Sequence, residues 1–243
     1  MDTIDGVWYM KGCGRKDPSC LHSPAELLAL VREIGFLPLF SNEVEGFSVE
    51  EHTPAEDWWI DDPARDPWAW RQILAEEDGV AYGKFFDRKA GFVSREWFPD
   101  FANYRRDGYD AEGLYEDGKM KHRNRQILDA LEPDEGARGL SLLSCELKKK
   151  SGVTKGFEGA VTELQMQTFL IVEAFRQKRN KLGMPYGWHV SALETPETKW
   201  GNDFVNGYSG TPEEAWERIR AQVKRFFPEA GEKEIRKVMG IRR

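Results

Sequence analysis

Leu27, Leu28, Val31 and Ile34 recur at helical spacing between polar positions, and the residues around them punctuate a helix. Ser23 is placed as N-cap, Pro24 takes the first helical position, Glu26 suits a capping box, and Gly35 can end the helix. FLPLF (36–40) then reads as extended. A second helix start lies at Asp66-Pro67, with Trp68, Trp70, Ile73 and Leu74 following. VAYGKFF (80–86) and GFVS (91–94) flank the turn-like DRKA, which predicts a hairpin. Ser94 is positioned to cap a helix carrying Trp97, Phe98, Phe101 and Tyr104.

DGYDAEGLYEDG (107–118) is polar and rich in turn residues, so a domain boundary is expected there, between an N-terminal module (1–110) and a C-terminal domain (111–243). HRNRQILDAL, LSLLSCELKKK and FEGAVTELQMQ each read as helices, the second stopping at Gly152 and the third following a short SGVTKG turn. TFLIVEAFRQ and YGWHVSALE read as two strands. Helix, helix, turn, helix and a two-stranded hairpin is the order of a winged helix-turn-helix. The fold class expected is therefore α+β, with a winged helix in the C-terminal half and a small helix-and-hairpin module before it. Thr211-Pro212-Glu213-Glu214 opens a last helix whose stripe is Ala215, Trp216, Ile219, Val223, Phe226 and Phe227, ended by Pro228. EKEIRKVMGIRR (232–243) is expected to be a basic surface tail.

Charge changes this picture when it is divided along the chain. The 243 residues carry a formal net charge of −7. Residues 43–62 hold eight acids and no Lys or Arg, whereas residues 141–183 hold eight bases against four acids. FRQKRNKLGMPYGWHV (175–190) concentrates Arg176, Lys178, Arg179 and Lys181 at the predicted hairpin tip, and Lys148, Lys149, Lys150 and Lys155 cluster at the predicted helix-turn-helix turn. A wing reaches the backbone of a duplex, and Lys or Arg at its tip displaces counterions from phosphate. Double-stranded DNA is thus the expected partner; the competing reading of any one of these side chains is a solvated surface charge.

Other chemistry is sparse. Cys13, Cys20 and Cys145 are an odd set with no zinc or redox spacing, so free thiols are expected, and His22, His52, His122 and His189 are scattered. No metal and no cofactor are expected. No apolar run reaches the roughly 18 residues of a membrane span, and MDTIDGVWYMKGCGRKDP lacks a signal-peptide core, so a cytoplasmic location is expected. Phosphate-binding glycine loops and nucleophile elbows are absent from the sequence.

Two resemblances add to this reading. VTELQMQTFLIVEAFRQ (161–177) resembles the Leu-Gln-apolar-Asp/Gln-Thr segment of the AlkZ (YcaQ) DNA glycosylases, winged-helix proteins that excise alkylated or crosslinked purines. FLPLF, DPWAWR, AYGKFF, KAGF and FANYRRDGYD make nearly the whole chain similar to the bacterial AlkZ-related family. The first resemblance implies a glycosylase-like activity in which Gln165 and Gln167 position the attacking water. Here Gln replaces Asp at the second place, and the motif lies late in the chain. Positions i and i+2 diverge on a helix, so the two amides can cooperate only where the chain leaves helical geometry near Met166.

Glu50-Glu51 beside Trp58-Trp59 could serve an extruded base as acid/base group and stacking surface, or form an acidic loop over buried Trp. Arg105-Arg106 could bind phosphate or pair with nearby Asp. The competing function classes are a non-catalytic winged-helix regulator and a protein-interaction module whose acidic 43–62 stretch meets a basic partner.

Overall fold

The computed structural model describes residues 2–4, 7–133 and 139–240. Strands β1 (Asp2–Ile4) and β2 (Val7–Tyr9) form a separate antiparallel ribbon. Helix α1 (Pro24–Ile34) begins where Ser23 accepts a hydrogen bond from the Glu26 N–H and ends at Gly35, whose φ of 92° favours glycine. After β3 (Phe36–Pro38), helix α2 (Pro67–Ala75) starts at Asp66, which accepts from the Trp68 N–H.

The predicted hairpin is β4 (Val80–Phe86) and β5 (Lys89–Ser94). Gly91 within it is required: a Cβ would lie 2.5 Å from the Phe86 ring and 2.6 Å from the Leu37 carbonyl oxygen. Ser94 does not cap the next helix. Its hydroxyl is buried, residues 95–97 form a 3-10 turn, and α3 (Phe98–Arg106) begins beyond it with Pro99 in its first turn.

The polar 107–118 stretch supplies its own short helix, α4 (Ala111–Glu116), capped by Asp110. Helix α5 (His122–Asp129) follows. The predicted LSLLSCELKKK helix is divided: Leu142–Leu143 form β6, and α6 (Ser144–Ser151) begins only where the Glu146 carboxylate accepts from the Leu143 N–H. Helix α7 (Phe157–Met166) precedes β7 (Ile171–Arg179) and β8 (Pro185–Glu194). Short helices α8 (Pro196–Trp200) and α9 (Asn202–Val205) lead to α10 (Pro212–Phe226), which has the reciprocal Thr211–Glu214 capping box.

The expected surface tail is instead helix α11 (Glu232–Met239), with Ile235, Val238 and Met239 buried; residues 241–243 lie outside the described residues. Three apolar residues on one face outweigh the basic composition around them, because burial of that face stabilises more than exposed charges cost.

Six strands form one antiparallel sheet in the order β3-β5-β4-β7-β8-β6. Strands from before and after residue 110 join where Tyr82 of β4 faces Val172 of β7. Trp70, Phe36, Phe47, Phe85, Phe92, Phe98, Phe101 and Phe157 are fully buried around it. The expectation of free thiols is corrected at one pair: Cys13 and Cys20 form a disulfide, with their Cα atoms 5.9 Å apart, and Cys145 is free and exposed. The seven-residue separation is neither a zinc nor a redox motif, but a loop returning on itself brings the sulfurs together. The Cys13 N–H then docks the loop on the Thr53 carbonyl.

Candidate functional site

Helix α7 ends between the two glutamines of the motif. Gln165 is helical and buried, and its Oε1 accepts from the Lys84 N–H of β4 at 2.9 Å. Gln167 is the C-cap residue, with φ −85° and ψ 3°, and its buried Oε1 has no hydrogen-bond partner among the described residues. The chain turns left-handed one residue later, at Thr168 (φ 63°), too late to bring the amides to one side. The structure does not bring them together. Gln165 lines a cavity of about 320 Å³ against β4, β7 and β8, whereas Gln167 lines another of about 490 Å³ with Asp87, Lys121 and Glu163.

The Gln165 cavity has aromatic walls from four distant parts of the chain: Phe40, Trp68, Tyr82 and Phe175. Arg71 of α2 also lines it, 8% exposed, with its guanidinium carbon 3.8 Å from the Trp68 ring centre and 4.3 Å from that of Phe175. Burial lowers the Arg71 pKa from its ordinary value, opposed by the Tyr82 hydroxyl. Burial likewise pushes Tyr82 up to about 12, opposed by Arg71. Ser144, Glu158 and Ser191 complete the polar rim. DPWAWR supplies Trp68 and Arg71; the sequence marks it as a helix start and as part of the family resemblance, without pointing to a cavity.

The basic residues singled out by sequence surround α6, the turn and the hairpin. Lys149, Lys150, Lys155, Arg179 and Lys181 are exposed, while Lys148 and Lys178 are half-buried. Lys148 extends over the Phe157 ring at 5.7 Å. Arg176 is exposed but pairs with Glu173 at 2.6 Å, and Arg179 donates to the Gly183 carbonyl at 2.8 Å. Four large apolar side chains accompany them at the tip and were missed: Leu182 is 86% exposed, Met184 61%, Tyr186 51% and Trp188 91%. Their occurrence at every second position is a strand-like apolar stripe, and this was the available signal.

Two other candidate groups are structural. Arg105 is buried and donates to the backbone carbonyls of Met166 (2.8 Å), Phe85 (2.7 Å) and Met239 (2.6 Å). Desolvation draws its pKa down to about 9. Arg106 donates to the Thr168 carbonyl at 2.8 Å and to Glu197 at 2.6 Å. Both guanidinia are buried away from solvent phosphate, and among the described residues neither pairs with Asp. Both satisfy carbonyls at the end of α7, where a helix leaves acceptors unpaired. Glu50, fully buried, accepts from the Lys11 and Ser41 N–H groups, and Glu51 accepts from the Gly46 N–H and the Ser48 hydroxyl. These carboxylates fasten the acidic loop. Of the two neighbouring indoles, Trp58 is buried and Trp59 half exposed.

Among the described residues no cluster of three or more His, Cys, Asp or Glu could hold a metal ion, and no helix is long and apolar enough to cross a membrane. No curated protein matches the sequence. Among solved structures, the DNA glycosylase AlkZ of Streptomyces sahachiroi is similar at 11% identity and a TM-score of 0.45, over 91% of this chain and 60% of that one. This chain therefore spans less than two thirds of that glycosylase's length. A family model described as AlkZ related matches residues 21–240. That match takes in both sides of the six-stranded sheet, the cavity and the hairpin, and the chain belongs to the AlkZ-related family.

Proposed function

We propose that the protein binds double-stranded DNA as a winged helix, with the α6–α7 turn and the β7–β8 hairpin as its contacting surface. The observation that carries this reading is the hairpin tip: Lys178, Arg179 and Lys181 stand among Leu182, Met184, Tyr186 and Trp188, in a chain of net negative charge. Bases meet phosphate, and exposed aromatic or apolar side chains can pack against sugars or base steps. The element order supports the same reading. Helix α5, strand β6, helices α6 and α7, then β7 and β8 with β6 added beyond β8, is winged-helix order. Membership of a family described as AlkZ related agrees with a DNA partner. Residues 111–243 take the contacting role and residues 1–110 support them.

Base excision is a separate matter. Gln165 is the residue positioned to aim a water into the aromatic cavity, and Gln167 does not share that cavity. This separation favours a second reading, DNA binding without excision, because a single carboxamide is a poor general base. The test is affinity for a labelled duplex across a salt series, followed by base release from an alkylated duplex by wild type, Gln165→Ala and Gln167→Ala. Steeply salt-dependent binding supports the contact surface, and no binding at low salt rejects it. Release abolished by Gln165→Ala assigns excision to the cavity; absence of release by wild type leaves the regulator reading.

A further inference from the structure

We propose that the Cys13–Cys20 bridge is a thiol–disulfide exchange site for a dithiol reductant, and that its state decides whether residues 10–15 stay strapped across the acidic loop behind Phe40. The inference is independent of the nucleic-acid reading. One half of the bridge is reachable: Cys13 is half-buried, Cys20 is buried, and the residues between them, 14–19, are all exposed. A thiolate of the dithiol attacks Cys13 Sγ, the bond between the two sulfurs breaks, and Cys20 leaves as a thiolate that takes up a proton. The second thiol of the reductant then displaces Cys13 from the mixed disulfide. The protein has gained two electrons and two protons, and the dithiol has become a disulfide.

What the bridge carries is the strap. Three backbone N–H groups fasten residues 11–21 to residues 50–53: Lys11 donates to Glu50 Oε1 at 2.8 Å, Cys13 to the Thr53 carbonyl at 3.1 Å and Leu21 to the His52 carbonyl at 2.7 Å. Leu21 adjoins the cap of α1 and keeps its place without the bridge. Lys11 and Cys13 lie on the far side of it, where Met10 packs partly against the core and Arg15 pairs with Glu56 at 3.1 Å and with Asp57. The Arg15 side chain is 45% exposed, and an exposed ion pair contributes little. Joining Cys13 to the buried Cys20 is therefore what keeps the strap down. Reduction does not scatter the thiols. The Asp17 N–H donates to the Gly14 carbonyl, the Cys20 N–H to the Asp17 carbonyl, and Ser19 to the Asp17 carboxylate, so the turn holds them close and the disulfide form of the same reductant can restore the bridge.

Two routes carry the release inward. The fully buried Glu50 carboxylate accepts from Lys11 through Oε1 and from the Ser41 N–H through Oε2, at 2.9 Å. A buried carboxylate that loses a donor draws in water, which loosens Ser41 and its neighbour Phe40. Thr53, whose carbonyl receives Cys13, also receives the Trp58 indole N–H on its hydroxyl at 3.0 Å, and the Trp58 ring lies 5.5 Å from that of Phe40. Phe40 lines the aromatic cavity, so reduction loosens one wall of it.

The test equilibrates the full chain, without denaturant, in dithiothreitol at rising ratios of its reduced to its oxidised form. Free thiols are alkylated and counted by mass spectrometry, and deuterium uptake is followed over the first minutes, too short for the globally protected amides of α7 to exchange in either state. The count should rise from Cys145 alone to all three cysteines, while amides of residues 11–15 and 39–58 exchange at least about tenfold faster and those of α7 stay protected. Returning the ratio should restore both. Cys13→Ser with Cys20→Ser should show the reduced pattern at every ratio. Gly12→Ala separates strap from bridge: its Cβ would lie 2.4 Å from the Ala55 nitrogen and the Thr53 carbonyl oxygen, so it should speed exchange of 39–58 with the bridge still closed. The wild-type comparison needs neither variant to fold. A bridge that opens only in denaturant, a reduced protein whose residues 39–58 exchange as before or no faster than α7, or Gly12→Ala exchanging like the oxidised wild type overturns the proposal.

Discussion

Replacing Lys178, Arg179 and Lys181 by Ala is expected to flatten the salt dependence of duplex binding. Eight bases lie between residues 141 and 183, and Arg176 is already neutralised by Glu173, so seven can each release a counterion from DNA. At about 0.9 per phosphate for B-form DNA, seven contacts give a log–log slope of about −6.3 and four give about −3.6. A fourfold rise in salt then weakens wild type about 6,000-fold and the triple variant about 150-fold, so the two converge as salt increases. Fluorescence anisotropy with a labelled duplex at several salt concentrations gives both slopes directly. The three side chains belong to the exposed hairpin tip and make one backbone hydrogen bond among them, Arg179 to Gly183, so the melting temperature should hardly move. Arg176→Ala is the internal comparison, because removing a base already paired should change the slope by less than about half a unit. An unchanged slope in the triple variant refutes phosphate contact by the wing. A slope that falls as much in Arg176→Ala as in the triple variant refutes the count of free cations.

The remaining predictions concern the scaffold. Arg105→Met leaves three carbonyls, two of them in buried bonds and one in a part-buried bond, without their donor, and at about 1–3 kcal/mol each, partly relieved by relaxation, the loss should reach about 3–6 kcal/mol. Denaturant midpoints measure it, and a loss under about 1 kcal/mol contradicts the clamp. Tyr82 has a folded-state pKa raised to about 12 against 10.0 when exposed, so its contribution is fully present below pH 10 and is lost as pH rises toward 12. Tyr82→Phe should remove about 2–3 kcal/mol of that alkaline loss, read from stability against pH. Reducing the Cys13–Cys20 bridge, which closes a short loop, should lower stability by about 2–3 kcal/mol. A Cys13→Ser, Cys20→Ser variant insensitive to reductant, with the melting temperature of the reduced protein, checks that assignment.

Elements whose causes are local were legible from the chain. Ser23-Pro24, Asp66-Pro67 and Thr211-Pro212-Glu213-Glu214 mark helix starts because a cap bonds residues two or three positions away. The separation of Gln165 from Gln167 follows from helical geometry in the same way. What escaped depends on distant pairing. Leu142 and Leu143 read as helix because their alternative is set by Ala192 and Leu193, fifty residues on. Arg105 and Arg106 read as phosphate ligands or partners of Asp because their true partners are carbonyls of α7, β4 and α11 or the α8 carboxylate, which no local pattern announces. The aromatic cavity was hidden for the same reason: Phe40, Trp68, Tyr82, Gln165 and Phe175 converge only once the sheet has formed. Charge was legible where it is exposed and misleading where it is not. The hairpin bases lie at the surface as composition suggested, whereas α11 was read as a tail because its charges concealed Ile235, Val238 and Met239.

The guanidinium clamp on α7 also determines which part of the molecule can accommodate a partner's shape. Met166 and Thr168 are held through Arg105 and Arg106 to β4, α8 and α11, so this helix can neither slide along its axis nor rotate without breaking several buried bonds at once. The distal part of the hairpin, residues 180–189, is exposed throughout, and the bonds that Arg179 and Gln177 donate to its Gly183 and Gly187 carbonyls stay within the hairpin. Adjustment to a bent or irregular surface must therefore come from the tip or from the partner itself. In exchange terms, the amides of α7 should open only with global unfolding and those of the tip far more often, making the protein a fixed gauge with one compliant finger.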